Sequence, residues 1–88
     1  MYAVLFQVDF KPDWPGDLEA EIAELVEGTK QSPGFVRGTW ARQEAQGVSF
    51  IVMADEASAR AMADNAEAPP EASVTIRSVD VFEIWRDV

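Results

Sequence analysis

Residues 35–54, FVRGTWARQEAQGVSFIVMA, decide the fold. Side chains that alternate with a period of about two residues are typical of a β-strand. Such alternation runs over 35–43 and again over 48–54. The polar residues 44–47 between them have the length of a hairpin loop. The sequence therefore predicts two adjacent antiparallel strands. The second is apolar on both faces, as a central strand would be.

The segments on either side of this hairpin both predict a helix. On the N-terminal side, Asp17 is a good N-cap, and a buried stripe at helical spacing follows it, made of Leu18, Ile22, Leu25, Val26 and Thr29. On the C-terminal side, Asp55 caps a helix over 56–66, whose apolar face is mostly alanine. Because each alanine buries little area, we expect this second helix to be the weaker of the two.

Two outer strands lie beyond the helices. Residues 2–10 alternate regularly and the strand ends before Pro12, since proline cannot continue a strand ladder. Residues 72–85 predict a long last strand whose apolar phase changes near Ser78. One extra residue in a strand turns every later side chain to the other face. We therefore predict a bulge or bend near Ser78.

The resulting element order is β-α-β-β-α-β in one domain, residues 1–88. Two β-α-β units joined by a central hairpin give the ferredoxin-like α+β arrangement, with a four-stranded antiparallel sheet. Right-handed crossovers place both helices on one face of that sheet. All the strands carry apolar side chains on both faces, so the second face needs a cover. A second copy of the chain is the simplest cover, and we expect a homodimer.

The composition excludes several classes of function. The chain has no cysteine and no histidine, which removes thiol chemistry, the commonest general base and the commonest metal ligand. We predict no metal site and no cofactor. The net charge of −9 disfavours nucleic acid and anionic membrane surfaces as partners. Because we find neither a signal peptide nor a membrane span, we expect a cytoplasmic location.

Two stretches carry a family resemblance, residues 32–35, SPGF, and residues 49–59, SFIVMADEASA. They resemble the dimeric α+β barrel superfamily and, within it, the antibiotic-biosynthesis-monooxygenase-like proteins. The resemblance implies the ferredoxin-like fold and the dimer. Catalytic members commonly have an asparagine on the first strand, and a tryptophan or histidine near the third strand and second helix. This chain has Gln7 and Asp9 on the first strand and Phe50 on the third, so the resemblance implies no reaction.

The candidate ligand-binding residues are Gln7, Trp40, Arg42, Phe50 and Met62. Trp40 and Arg42 share one face of the second strand, and we predict Phe50 as their cross-strand neighbour. An aromatic pair beside a guanidinium would bind a flat, anionic or phenolic molecule by stacking and a charge-assisted hydrogen bond. The alternative is that Trp40 fills the core or the dimer interface while Arg42 pairs with a surface acid.

Other polar and aromatic residues have structural interpretations. Arg37 and Arg77 need carboxylate partners if they face a second subunit. The candidate partners are Asp9, Asp80 and Glu83. Trp14, between two prolines, is interpreted either as a lid over a pocket or as a plug at the edge of the core.

Three functions stay open. The first is a small dimeric α+β barrel protein that binds a small aromatic or hydrophobic molecule between the sheet and the helices. The second is a cofactor-independent monooxygenase-like or isomerase-like enzyme acting on an aromatic or polyketide-type substrate, with catalytic residues that the sequence does not identify. The third is an acidic protein-interaction module. A cavity between sheet and helices favours the first two, and a filled core favours the third.

Overall fold

A computed structural model describes all 88 residues. The elements are β1 (Tyr2–Phe10), α1 (Leu18–Lys30), β2 (Phe35–Gln43), β3 (Gln46–Met53), α2 (Glu56–Asp64) and β4 (Val74–Glu83). The strands form one antiparallel four-stranded sheet in the order β2-β3-β1-β4. This arrangement confirms the predicted ferredoxin-like fold. No helix has the length and apolar character needed to cross a membrane.

The central hairpin is tighter than the sequence predicts. Its turn consists of Glu44, which has a left-handed φ of 53°, and Ala45. This turn places Trp40 opposite Ser49. Because successive side chains of a strand point to opposite faces, Phe50 lies on the face of the sheet away from Trp40. The predicted Trp40–Phe50 neighbourhood is therefore wrong.

The predicted irregularity in the last strand is confirmed. Gln7 pairs with Ser78, and Val8 pairs with Ile76, so Arg77 is the extra residue of a bulge. A bulge changes the phase of the strand. As a result, Ile76 before the bulge and Val79 after it both lie on the helix side of the sheet.

The two helices meet the sheet differently. Ala59 of α2 is fully buried and packs in a core cluster with Val4, Ile51 and Met53. In contrast, α1 contains no buried residue, and Leu25 of its apolar stripe is 51% exposed. The expected burial of the α1 stripe is therefore wrong, whereas the expected weakness of α2 stays a prediction. Small alanine side chains let α2 lie close to the sheet, whereas α1 stands away from it.

The sheet face away from the helices, named here the open face, is covered at one end. The C-terminal segment 84–88 crosses that end, since Arg37 Nη2 on β2 donates to Asp87 Oδ1 at 2.7 Å. Ala3 and Val52 are buried there. The remaining apolar side chains stay exposed in the single chain, by 41% for Val48, 40% for Phe50 and 48% for Phe82. The predicted lack of any cover is therefore corrected at this end only.

Candidate functional site

A cavity of about 1160 Å³ lies between α1 and the sheet. Strands form one wall, α1 forms the opposite wall, and α2 with the connection 65–72 contributes the rest. Its apolar lining includes Phe6, Val8, Ile22, Leu25, Trp40 and Met62. A concave and mostly apolar space with a few polar groups is the usual form of a small-molecule site. The gap beside α1 is therefore the candidate site.

Hydrogen bonds hold the N-terminal part of α1 to the chain just before β4. The Glu21 carboxylate accepts from the Ser73 backbone N–H at 3.2 Å and from the Ser73 hydroxyl. The Trp14 indole N–H donates to the Glu71 carbonyl at 2.9 Å. These four residues are named the clasp. They fix α1 at this end while its middle stays off the sheet.

Trp14 closes the end of the fold and does not line the cavity. Its ring lies so close to Gly16 that a Cβ there would come within 2.3 Å of Trp14 Cη2. Gly16 is thus required by the close approach of the indole. The absence of Trp14 from the cavity lining disagrees with a lid, and because Trp14 does not pack against the core cluster, its role as a plug stays a prediction.

The structure brings together three of the five predicted site residues. Trp40, Arg42 and Met62 line the cavity. Gln7 and Phe50 lie on the open face, because the side chains of β1 and β3 alternate in step along their shared ladder. The expectation of one pocket that includes Gln7 and Phe50 is therefore corrected. The ligand-binding role of the other three stays a prediction.

Trp40 is half-buried and belongs to both the core and the cavity. It packs against the core cluster and also lines the cavity. Its ring covers Gly38, where a Cβ would lie 2.8 Å from Trp40 Cη2. Glycine at this position therefore lets the indole lie against the strand. The ring edge is held by packing while part of its surface remains open to a ligand.

Arg42 is exposed at the end of β2 and forms none of the four ion pairs in the chain. The alternative in which it pairs with a surface acid is therefore not seen in the single chain. The other strand-borne arginines are paired. Arg77 Nη2 donates to Asp9 Oδ1 at 2.6 Å, which confirms Asp9 as one of the predicted partners, whereas Arg37 pairs with Asp87.

The sequence did not identify the α1 wall of the cavity. Leu18, Ile22 and Leu25 were predicted to be buried, yet they line open space. The sequence feature that could have indicated this wall is the difference in side-chain size between the two helices. If an alanine-lined helix lies close to one part of a sheet, a helix with leucines and isoleucines beside it is kept further away.

Comparison with known proteins supports the fold. The chain matches no family model and no curated protein. Among solved structures it is similar to the heme-degrader MhuD from Mycobacterium tuberculosis, a structure with two hemes bound in its active site. The TM-score is 0.70 at 18% sequence identity, covering 100% of this chain and 99% of that one. This likeness confirms the ferredoxin-like fold, and at this identity it shows the fold alone.

Proposed function

We propose that this protein is a homodimer that binds a small aromatic or hydrophobic molecule in the cavity between α1 and the sheet. The observation that carries the proposal is the unburied apolar stripe of α1, which faces the cavity. Removing apolar surface from water stabilises by about 25 cal/mol per Å². A ligand that fills the gap would bury this stripe without any movement of the sheet.

A flat aromatic ligand suits the opposite wall. The Trp40 indole offers a ring surface for stacking, and aromatic rings pack favourably in offset or edge-to-face arrangements. Met62 contributes a flexible thioether that adapts to irregular shapes. The structure of MhuD holds two hemes, which are flat aromatic macrocycles, on a similar fold. This likeness supports a planar ligand class for the cavity.

Heme itself does not fit the donor set of this chain. The chain contains no histidine and no cysteine. Its one tyrosine, Tyr2, donates to Glu83 at 3.4 Å and lies outside the cavity lining. The only sulfurs in the lining are the thioethers of Met53 and Met62, and Met53 is already buried in the core. The usual proximal ligands of heme iron are therefore missing from the cavity.

The open face supports the homodimer. Its exposed apolar residues, including Val48, Phe50 and Phe82, need a cover. The arginines at its two ends are already neutralised by Asp9 and Asp87. A second copy of the same face would meet this apolar surface and the paired arginines. Asp80, opposite Leu5 on the same face, is the one carboxylate there without an ion pair in the single chain. Burial of the two faces against each other is the simplest way to remove this surface from water.

Binding is tested by fluorescence titration with the neutral flat probe 9-anthracenemethanol. We expect a Kd of about 1–100 μM for the unmodified chain. Trp40→Ala should raise that Kd at least about tenfold, because it removes the stacking surface. The matched control is Trp85→Ala, since Trp85 is 85% exposed and lies outside the cavity. Absence of binding, or an equal effect of the two variants, would contradict the proposed site.

The dimer is tested by sedimentation at micromolar concentration. We expect twice the chain mass of 9.7 kDa, and we expect Phe50→Lys to produce the single chain by placing a charge in the apolar face. Ala23→Lys, on an exposed position of α1, is the control and should leave the mass unchanged. A monomer of the unmodified chain would remove the dimer from the proposal and leave the cavity to be judged by the titration.

A further inference from the structure

We propose that the cavity selects ligands by charge, favouring cationic and neutral flat molecules over anionic ones. This inference rests on the proposed function and specifies the ligand class of the same site. The charged residues that line the cavity are Arg42 and five carboxylates, Glu19, Glu21, Glu24, Glu67 and Glu71. One cation thus stands against five acids in a space whose other walls are largely apolar.

The carboxylates lie on two sides of the cavity. Three belong to the first two turns of α1, and two belong to the connection before β4. None of the five takes part in an ion pair. Glu21 accepts hydrogen bonds from Ser73, but those donors are neutral and leave its charge in place. Lys11, whose Nζ donates to the Pro70 carbonyl at 2.6 Å, lies beside the connection but outside the lining. It offsets part of this charge, and the five acids still outnumber the two cations Arg42 and Lys11.

The walls strengthen the effect of this charge. A cleft lined by charges of one sign with walls of low dielectric constant concentrates the field inside it. The net charge of −9 adds to the potential with the same sign. A cation stacked on Trp40 would gain a further attraction to the face of the ring. All three contributions favour a positive ligand.

Arg42 is the only lining residue that favours an anion. It is exposed at the end of β2, and the lining acids Glu19, Glu24, Glu67 and Glu71 are exposed as well. Water therefore screens charges of both signs, and the excess of acids decides the balance. A carboxylate ligand that reached Arg42 would have to enter between the acids of α1 and those of the connection 65–72. The sequence-based expectation of an anionic molecule held by Arg42 is replaced here by a phenolic, neutral or cationic one.

The test compares three probes that share one anthracene ring. They are 9-anthracenemethanol, which is neutral, 9-(aminomethyl)anthracene, which is a cation near neutral pH, and 9-anthracenecarboxylate, which is an anion. At about 20 mM salt we expect the cation to bind at least about tenfold more tightly than the anion, with the neutral probe between them. Raising the salt to about 300 mM should reduce that ratio at least about threefold.

Two variants on the same helix localise the effect. Glu24→Gln removes a charge from the cavity lining, whereas Glu27→Gln removes one from an exposed position paired with Lys30 and outside the lining. We expect Glu24→Gln to lower the cation-to-anion ratio about two- to threefold and to change the Kd of the neutral probe by a smaller factor. Glu27→Gln should change the ratio by less than half as much.

The possible outcomes distinguish a failure of charge selection from a failure of ligand binding in the cavity. If the neutral probe binds and the anion binds as tightly as the cation or more tightly, charge selection is wrong while the cavity remains a binding site. Equal effects of Glu24→Gln and Glu27→Gln would also overturn it, because the selectivity would then come from the net charge and not from the lining. If no probe binds, the proposed function fails and this inference fails with it.

Discussion

The two helices lie on the same side of one sheet, yet only one of them packs into the core. Ala59 of α2 is fully buried against Val4 and Ile51, whereas α1 has no buried residue. The stripe of α1 contains larger apolar side chains than that of α2. The difference teaches that the area a helix can bury depends first on how closely its backbone can approach the sheet.

The capping residues do not explain this difference. Both helices begin with an aspartate that accepts from a backbone N–H three residues later, at 3.2 Å from Ala20 for Asp17 and at 2.8 Å from Ser58 for Asp55. Local signals therefore form both helices equally well. The two helices differ in how they pack. The clasp holds one end of α1, and the small side chains of α2 let that helix lie closer to the sheet.

The largest expected effect comes from one substitution made on each side of the cavity. Ile51→Ala removes a side chain that is 1% exposed and packed against α2. It should lower the free energy of unfolding by about 3 kcal/mol. Ile22→Ala, on the cavity side of α1, should lower it by less than about 1 kcal/mol, because no close packing is lost there. Urea denaturation of both variants measures the two values.

Equal losses for the two isoleucine variants would mean that α1 packs as tightly as α2 in solution. That result would also remove the cavity. A saturating flat ligand sharpens the comparison, since it should increase the loss caused by Ile22→Ala if the ligand contacts this side chain.

An intermediate effect is expected at the clasp. Ser73→Ala removes a buried hydroxyl that donates to the Glu21 carboxylate, so the free energy of unfolding should fall by about 1–2 kcal/mol. Amide hydrogen exchange should become faster in α1 and change little in α2, because only α1 is held by the clasp. Ser49→Ala is the control, since Ser49 makes no such bond. Uniform acceleration in both helices would contradict the separate anchoring of α1.

The smallest effect is the pH dependence of the α2 cap. The Ser58 backbone N–H, helped by the Ser58 side chain, holds the pKa of the Asp55 carboxyl below its usual value. The carboxylate therefore stabilises the folded chain above a pH of about 4, and this stabilisation is lost as the pH falls through the lowered value. The Tm difference between the unmodified chain and Asp55→Ala should be positive at neutral pH and shrink in acid.

Asp55→Asn separates the charge from the hydrogen bond in this pH test. It keeps an acceptor for the Ser58 N–H and has no charge to titrate. Its Tm should stay above that of Asp55→Ala over the whole range. A Tm difference between the unmodified chain and Asp55→Ala that grows in acid would contradict the lowered pKa.

The sequence predicts the elements well because their signals are local. Period-two alternation marks β1, the aspartates mark both helix starts, and the phase change near Ser78 marks the bulge that the structure has at Arg77. Register is less accessible from the sequence. The hairpin turn is two residues and not four, which moves the partner of Trp40 from Ile51 to Ser49. Phe50 lies on the open face with either turn, because the two turn lengths differ by an even number of residues.

The candidate site is only partly predictable for a related reason. Trp40, Arg42 and Met62 share the helix side of the sheet, which alternation and helix periodicity predict. One end of α1 is attached to the chain before β4 by the hydrogen bonds between Glu21 and Ser73. That contact joins positions 52 residues apart, and no local pattern specifies it. The large lining residues of α1 therefore look like ordinary core residues in the sequence.

The most direct test of the account is an NMR measurement of intermolecular NOEs between 9-anthracenemethanol and the methyl groups of the protein. The cavity predicts NOEs from the anthracene protons to the methyls of Ile22, Leu25 and Ile76, which line it. NOEs confined to Leu5 and Thr39, which lie on the opposite face of the sheet and outside the lining, or the absence of any NOE at saturating probe, would contradict a ligand site between α1 and the sheet.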